Sequence, residues 1–180
     1  MGWNKPSIGW HKLNTDGASI GNPSKMGGGG VIRDCHGDWV KGYSRAIGYA
    51  TSVLAEWWAL RDGLILAIQL GINQLEVELD AKVIVEMLNG IENPNRIYSP
   101  LLNDCRSLIA RLVQVQVGHV FREANNYVDF LAKRGCSMMG NFDVFGASPS
   151  DDLNVLLDVD VNGLYYYRHV ATTLASVANM

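Results

Sequence analysis

Three cysteines among 180 residues, Cys35, Cys105 and Cys136, are too few and too scattered to staple a small secreted fold, and they lack zinc-ligand spacing. Reduced, buried or incidental thiols are the economical reading. Long apolar runs are missing as well: the longest, such as LILAIQL at 64–70, fall well short of the roughly 20 residues that cross a bilayer. The opening MGWNKPSIGW lacks the apolar centre of a signal peptide, and Pro6 stands where a myristoylation signal needs Ser or Thr. These absences lead to the expectation of a soluble intracellular protein with no membrane partner and no address that separates nucleus from cytoplasm. A basic surplus is also missing, since the formal net charge is -3. Its distribution matters more than its sum. Residues 1–139 carry 14 Lys and Arg against 13 Asp and Glu, whereas residues 140–180 carry one Arg168 against five Asp. The acidity therefore lies in the tail, and the first part is compatible with phosphate contacts.

What the chain does have is 48% hydrophobic residues over a length that suits one well-packed domain. The reading is an N-terminal flank at 1–8, a domain over 9–139 and an acidic tail over 140–180, with Asn162-Gly163 marking a hairpin near 155–168. GWHKLNTD (9–16) reads as a first strand ended by the loop-like GASIGNPSKMGGGG, and 30–45 as two further antiparallel strands around a turn. From Thr51 to Gly71 the period changes to that of a helix, with Leu54, Trp57, Trp58, Leu64, Ile65 and Ile68 as its stripe and Thr51 or Ser52 as its cap. At least one of the two tryptophans must face a sheet. A strand at 74–81, a helix closed by Gly90, a helix capped at Ser99, a strand at 113–121 and a last helix follow. The order βββαβααβα implies an α/β fold with a five-stranded mixed sheet, three antiparallel strands and then parallel ones reached through helices.

Four carboxylates stand out against that layout. Asp16 ends the first strand, Glu56 lies in the first turns of the long helix, Asp80 ends the fourth strand, and Asp129 lies in the first turns of the last helix. Each has a plainer reading: Asp16-Gly17 as a turn pair, Asp80 as a helix cap, Glu56 and Asp129 as solvated helix residues. If strands one and four are neighbours, the four instead converge. Ionised carboxylates held close repel, so such a cluster persists only with cations in it, and oxygen ligands select hard ions, Mg2+ or Mn2+.

The stretches NTDGASIGNPSKMGGGGVI, LAEWWAL, VELDAKVIV and REANNYVDFLAK, in that order and spacing, resemble the ribonuclease H family. The likeness is to plant ribonuclease H-like domains related to retrotransposon reverse transcriptases. It covers about residues 9–139, and LLDVDVNGLYYYRHV is similar to the segment that commonly follows this plant domain. The resemblance implies a ribonuclease H-like fold and hydrolysis of the RNA strand of RNA/DNA hybrids, with two Mg2+ or Mn2+ ions about 3.5 to 4 Å apart. The chain is expected to be a monomer. Asp16, Glu56, Asp80 and Asp129 match the metal-binding carboxylates. Asn22 matches a minor-groove contact, where 2′-hydroxyls mark RNA. Gly17, Thr51 and Ser52 match substrate contacts of lesser weight. Glycines 27–30 would let nucleic acid approach the backbone. His119 aligns with a histidine that assists catalysis in many members, but the alternation of VQVQVGHVF puts it inside a strand. Arg122 and Lys133 read as solvated surface, with phosphate contact the lesser alternative. The shortened loop HVFREANN and the missing basic, Trp-rich handle keep a second reading open: a catalytically weak nucleic-acid-binding or protein-interaction domain.

Overall fold

The computed structural model describes residues 2–21, 23–90 and 96–162. Its elements run β1 (His11–Ile20), β2 (Lys25–Arg33), β3 (Trp39–Gly48), α1 (Ser52–Gln69), β4 (Gln74–Leu79), α2 (Lys82–Leu88), α3 (Ser99–Ile109), β5 (Gln114–His119), a 3-10 turn (Arg122–Ala124), α4 (Asn126–Ser137), β6 (Phe142–Phe145) and α5 (Asp151–Val161). The sheet order is β5-β4-β1-β2-β3-β6. β1, β2, β3 and β6 pair antiparallel, while β4 and β5 join β1 in parallel. Parallel neighbours need crossovers, and α1 together with α2–α3 provides them on one face of the sheet.

That face holds the main core. Leu13, Ile32 and Tyr43 of the sheet meet Trp57, Leu60 and Leu64 of α1, with Leu101, Leu102 and Cys105 of α3 behind. Trp57 is fully buried and Trp58 only partly, so one of the pair faces the sheet as expected. The buried surface of α1 is broader than the expected stripe: Ala55, Ala59, Gly63 and Ala67 are buried, while Ile65 and Ile68 are only half-buried. A helix pressed between a sheet and another helix needs small residues as much as large ones.

Four expectations need correction. First, β1 does not stop at Asp16 but runs to Ile20, because β2 pairs with it through Ile20↔Lys25. The glycine run is thus strand rather than loop. Glycine is a poor strand former, yet no larger residue fits there: a Cβ on Gly27 would lie 2.3 Å from Ala132 O, and one on Gly29 2.4 Å from Ala132 N. These glycines admit α4 to the sheet; they do not bare the backbone to nucleic acid. Second, the sheet has six strands, since β6 pairs with the outer edge of β3. Third, the cap of α3 is Tyr98, one residue before Ser99. Fourth, residues 155–161, the first arm of the expected hairpin, lie in α5, whose cap Ser150 accepts from the Leu153 N–H at 3.4 Å. The rest of that hairpin, from Gly163 on, lies outside the described residues.

The tail is therefore built onto the domain. Leu153 joins Val31, Tyr127, Val128 and Leu131 in a second core on the α4 face. Beside it runs a buried polar chain. Arg33 donates to Asp160 at 2.9 Å and to Asn14 at 3.3 Å, with the Trp3 ring 3.5 Å from its guanidinium carbon. Asn14 also accepts from the Trp3 indole, and donates to Glu78, which Lys12 pairs with at 2.7 Å. Both ends of the described chain are thereby fixed to β1 and β2. Among the described residues, no helix is long and apolar enough to cross a membrane.

Candidate metal centre

The last parallel pair of β1 and β4 is Thr15↔Leu79, so Asp16 and Asp80 lie side by side just past it. Glu56 comes down from α1. It can approach so closely because residue 17 is glycine: a Cβ there would sit 2.7 Å from the Glu56 N and 2.9 Å from Ala55 Cβ. One carboxylate oxygen from each of Asp16, Glu56 and Asp80 lies within 4.8 Å of the others. Asp80 does not cap α2, whose cap is Ala81. Asp16 is in mid-strand rather than a turn, and Glu56 is almost fully buried. None of the three therefore has the plainer role open to it.

Asp129 lines the same cleft of about 260 Å3 but stands outside the tight triad. Lys133, one turn along α4, pairs with its Oδ2, and Arg122 Nη2 lies 3.8 Å from its Oδ1. Both cations line the cleft and remain largely exposed to solvent. Gly17 and Ser52 line it too. Thr51 does not; its hydroxyl accepts from the Leu54 N–H at 3.3 Å and caps α1. Asn22 lies outside the described residues. His119 ends β5, as the alternation indicated, and its ring packs against Phe121 rather than lining the acidic cleft.

Burial and mutual repulsion set the electrostatics. Burial, then the neighbouring Asp80 charge, raises the Asp16 carboxyl to about 7. Burial and then Asp16 push Glu56 well above the carboxylate range. Asp80 is also raised by burial, with Arg122 and His119 pulling the other way. Asp16 Oδ2, Glu56 Oε2 and Asp129 Oδ1 are buried acceptors without a hydrogen-bond donor. Buried acceptors are normally satisfied. An all-oxygen, anionic set with open lone pairs fits a hard divalent cation.

Sequence reasoning missed Asn125. Its buried Nδ2 donates to Thr15 O at 3.0 Å, and its own carbonyl accepts from the Val128 and Asp129 N–H groups. It thus pins the start of α4 beside Asp16. Asn125 takes the position just before α4, and nothing in its sequence signalled the contact across 110 residues.

A mixed sheet of this order, with carboxylates gathered at the β1–β4 junction and under the flanking helices, defines a ribonuclease H-like domain. The chain belongs to the reverse transcriptase-like family, whose model matches residues 14–135. An Arabidopsis thaliana protein provisionally named as a ribonuclease H protein is 38% identical over 170 residues, covering 94% of this chain and 27% of that protein. The chain thus spans about a quarter of that relative. The N-terminal ribonuclease H domain of a Mycobacterium tuberculosis protein, solved as a fusion with maltose-binding protein, is 30% identical with a TM-score of 0.67, over 72% of this chain and 94% of that one. LC11 ribonuclease H1, solved in complex with an RNA/DNA hybrid, is 26% identical with a TM-score of 0.64, over 70% and 96%.

Proposed function

We propose that this domain is a divalent-metal endoribonuclease that hydrolyses the RNA strand of RNA/DNA hybrids. The observation that carries the reading is the triad of Asp16, Glu56 and Asp80, with oxygens within 4.8 Å of one another and two of them buried without a donor. The hybrid held by one structural relative supports the substrate class. Asp16, Glu56, Asp80 and Asp129 would together hold two Mg2+ or Mn2+ ions, with Glu56 and Asp129 each serving one of them. When bound, such a cation supplies Lewis-acid polarisation of the phosphate and a more acidic water.

The chain's own residues do the rest. Arg122 and Lys133 face the cleft and offset its carboxylates, so a phosphodiester meets two donors beside four acids. Gly17 and Ser52 line the cleft on its β1–α1 side. Asn125 and the Thr51 cap fix the starts of the two helices that bring Asp129 and Glu56 to the cleft. Their effect is on position, which costs rate steeply when lost.

The test is cleavage of a labelled RNA/DNA hybrid in Mg2+ or Mn2+, set against single-stranded RNA, duplex RNA and duplex DNA. Cleavage confined to the RNA of the hybrid is the expected result. Equal cleavage of duplex DNA would replace the substrate assignment, and no cleavage of any substrate by folded protein would favour a binding module.

A further inference from the structure

Strands β1 and β4 carry a row of bonded polar side chains that leads to the metal centre. Successive side chains of a strand alternate between faces and paired residues share a face, so Lys12↔Glu76 and Asn14↔Glu78 project to the same side of the sheet. Both pairs are joined through their side chains. Lys12 Nζ lies 3.2 Å from Glu76 Oε2 and 2.7 Å from Glu78 Oε1, and Asn14 Nδ2 donates to Glu78 Oε2 at 3.2 Å. Asp16 and Asp80 are the next positions of the row, two residues on in each strand. Parallel pairing of the backbones ends at Thr15↔Leu79, one residue short of them. The Asn14–Glu78 bond is thus the side-chain link that stands directly before the two carboxylates.

We propose that Asn14 and Glu78 are positioning residues for the metal ligands: their bond sets the spacing of Asp16 and Asp80, and with it the affinity of the site for a divalent cation. The assignment rests on the metal reading above and adds to it two residues that bear no ligand atom themselves. Asn14 is fully buried and held in one orientation. Its Oδ1 accepts from Trp3 Nε1 at 2.9 Å and from Arg33 Nη2 at 3.3 Å, which leaves Nδ2 facing Glu78. A flipped amide would set its N–H groups against both donors. Glu78 is fixed in the same way, with Lys12 on one oxygen and Asn14 on the other, and Lys12 is itself held by Asn4 O at 2.8 Å. Side-chain networks whose polar atoms are engaged on every side make the strands that carry them rigid. The anchors of this one lie outside the residues matched by the family model: Trp3 precedes them, and Asp160, which holds Arg33 at 2.9 Å, follows them. Both flanks of the domain therefore reach the metal centre through the Asn14 amide.

Mn2+ binding to the full chain, read by calorimetry without nucleic acid, tests the assignment. Glu78→Ala removes the link and leaves Lys12 paired with Glu76. It is expected to raise the Mn2+ Kd about tenfold, the lower end of what changes around metal ligands cost. Glu78→Gln removes the same charge but keeps an oxygen for the Asn14 amide, and it is expected to bind close to the parent. Trp3→Phe keeps a ring over Arg33 and removes only the indole donor, so it should raise the Kd in the same direction by less. Urea melts on the same proteins separate spacing from folding, because a merely structural role would lower stability and leave the Kd of the folded protein unmoved. An unchanged Kd in folded Glu78→Ala or, where that variant does not fold, in Trp3→Phe would overturn the positioning role and leave the metal site intact. Equal weakening in Glu78→Gln would overturn it too, since the effect would then be one of charge. A parent whose Mn2+ binding survives Asp80→Asn would overturn the metal reading and the positioning role with it.

Discussion

Arg33 and Asp160 form an ion pair at 2.9 Å, across 127 positions of sequence, with both side chains almost fully shielded from solvent. The pair fastens α5 to β2, and the Arg33 guanidinium lies over the Trp3 ring. Breaking one partner of a buried pair costs about 3–5 kcal/mol, because the other charge is left without compensation. Asp160→Ala, or removal of residues 150–180, is therefore expected to lower unfolding stability in urea by that order. Replacing both partners by apolar residues should recover most of it. A negligible effect of Asp160→Ala would show that α5 is only loosely attached.

The acidic triad makes stability depend on pH in a direction opposite to that of an ordinary salt-bridged carboxylate. The Asp16 carboxyl is raised to about 7, so without metal the folded protein keeps a proton that the unfolded chain releases. This contribution is present at low pH and is lost as pH rises from the ordinary carboxylate range toward 7. The metal-free melting temperature should accordingly fall between about pH 4 and about pH 7, and Mg2+ or Mn2+ should restore it at the upper end. Asp16→Asn should flatten the pH dependence and remove much of the metal effect.

Activity and stability should separate at the same residues. Asp16→Asn, Glu56→Gln and Asp80→Asn are each expected to cut hybrid cleavage on the order of a hundredfold or more, the scale of losing one preorganised group. Each should also raise metal-free stability at neutral pH, because like-charge repulsion is relieved. Asp129→Asn should cost less rate, since Asp129 stands apart from the triad and is paired with Lys133. Steady-state rates and urea melts on the same four proteins provide the comparison.

Gly29→Ala is expected to destabilise the fold by about 1–3 kcal/mol, as overpacking does. The added Cβ would lie 2.4 Å from Ala132 N, which is helix backbone and cannot swing aside. Because α4 also carries Asp129, cleavage should fall together with stability. Gly48→Ala is a useful contrast: nothing lies within 4 Å of its Cβ, and its cost comes from a φ of +82°.

Much of the fold was legible because its signals are local. The change of period at Thr51, the alternation of QLEVEL and the Gly at the end of α2 each mark an element without reference to the rest of the chain. The glycine strand was not legible: its propensity argues for a loop, and only the close approach of α4 makes glycine the required residue. β6 and α5 were missed for a similar reason. FDVF is too short to signal a strand unless β3 offers an edge, and Asn162-Gly163 resembles a hairpin turn, although Asn162 follows a helix. At the site, Asp16, Glu56 and Asp80 could be named from their motifs, whereas the pairing of Asp129 with Lys133 and Arg122 depends on side-chain geometry that no spacing encodes.

The central claim is that the carboxylate triad holds the cation with which the RNA strand of a hybrid is cut. Single-turnover cleavage of a labelled hybrid, followed across a Mn2+ titration for the wild-type chain and Asp80→Asn, tests it most directly. Saturable, metal-dependent cleavage by the wild type, lost in a folded Asp80→Asn, is the expected result. Cleavage that persists in chelator, or that Asp80→Asn leaves unchanged, would contradict it.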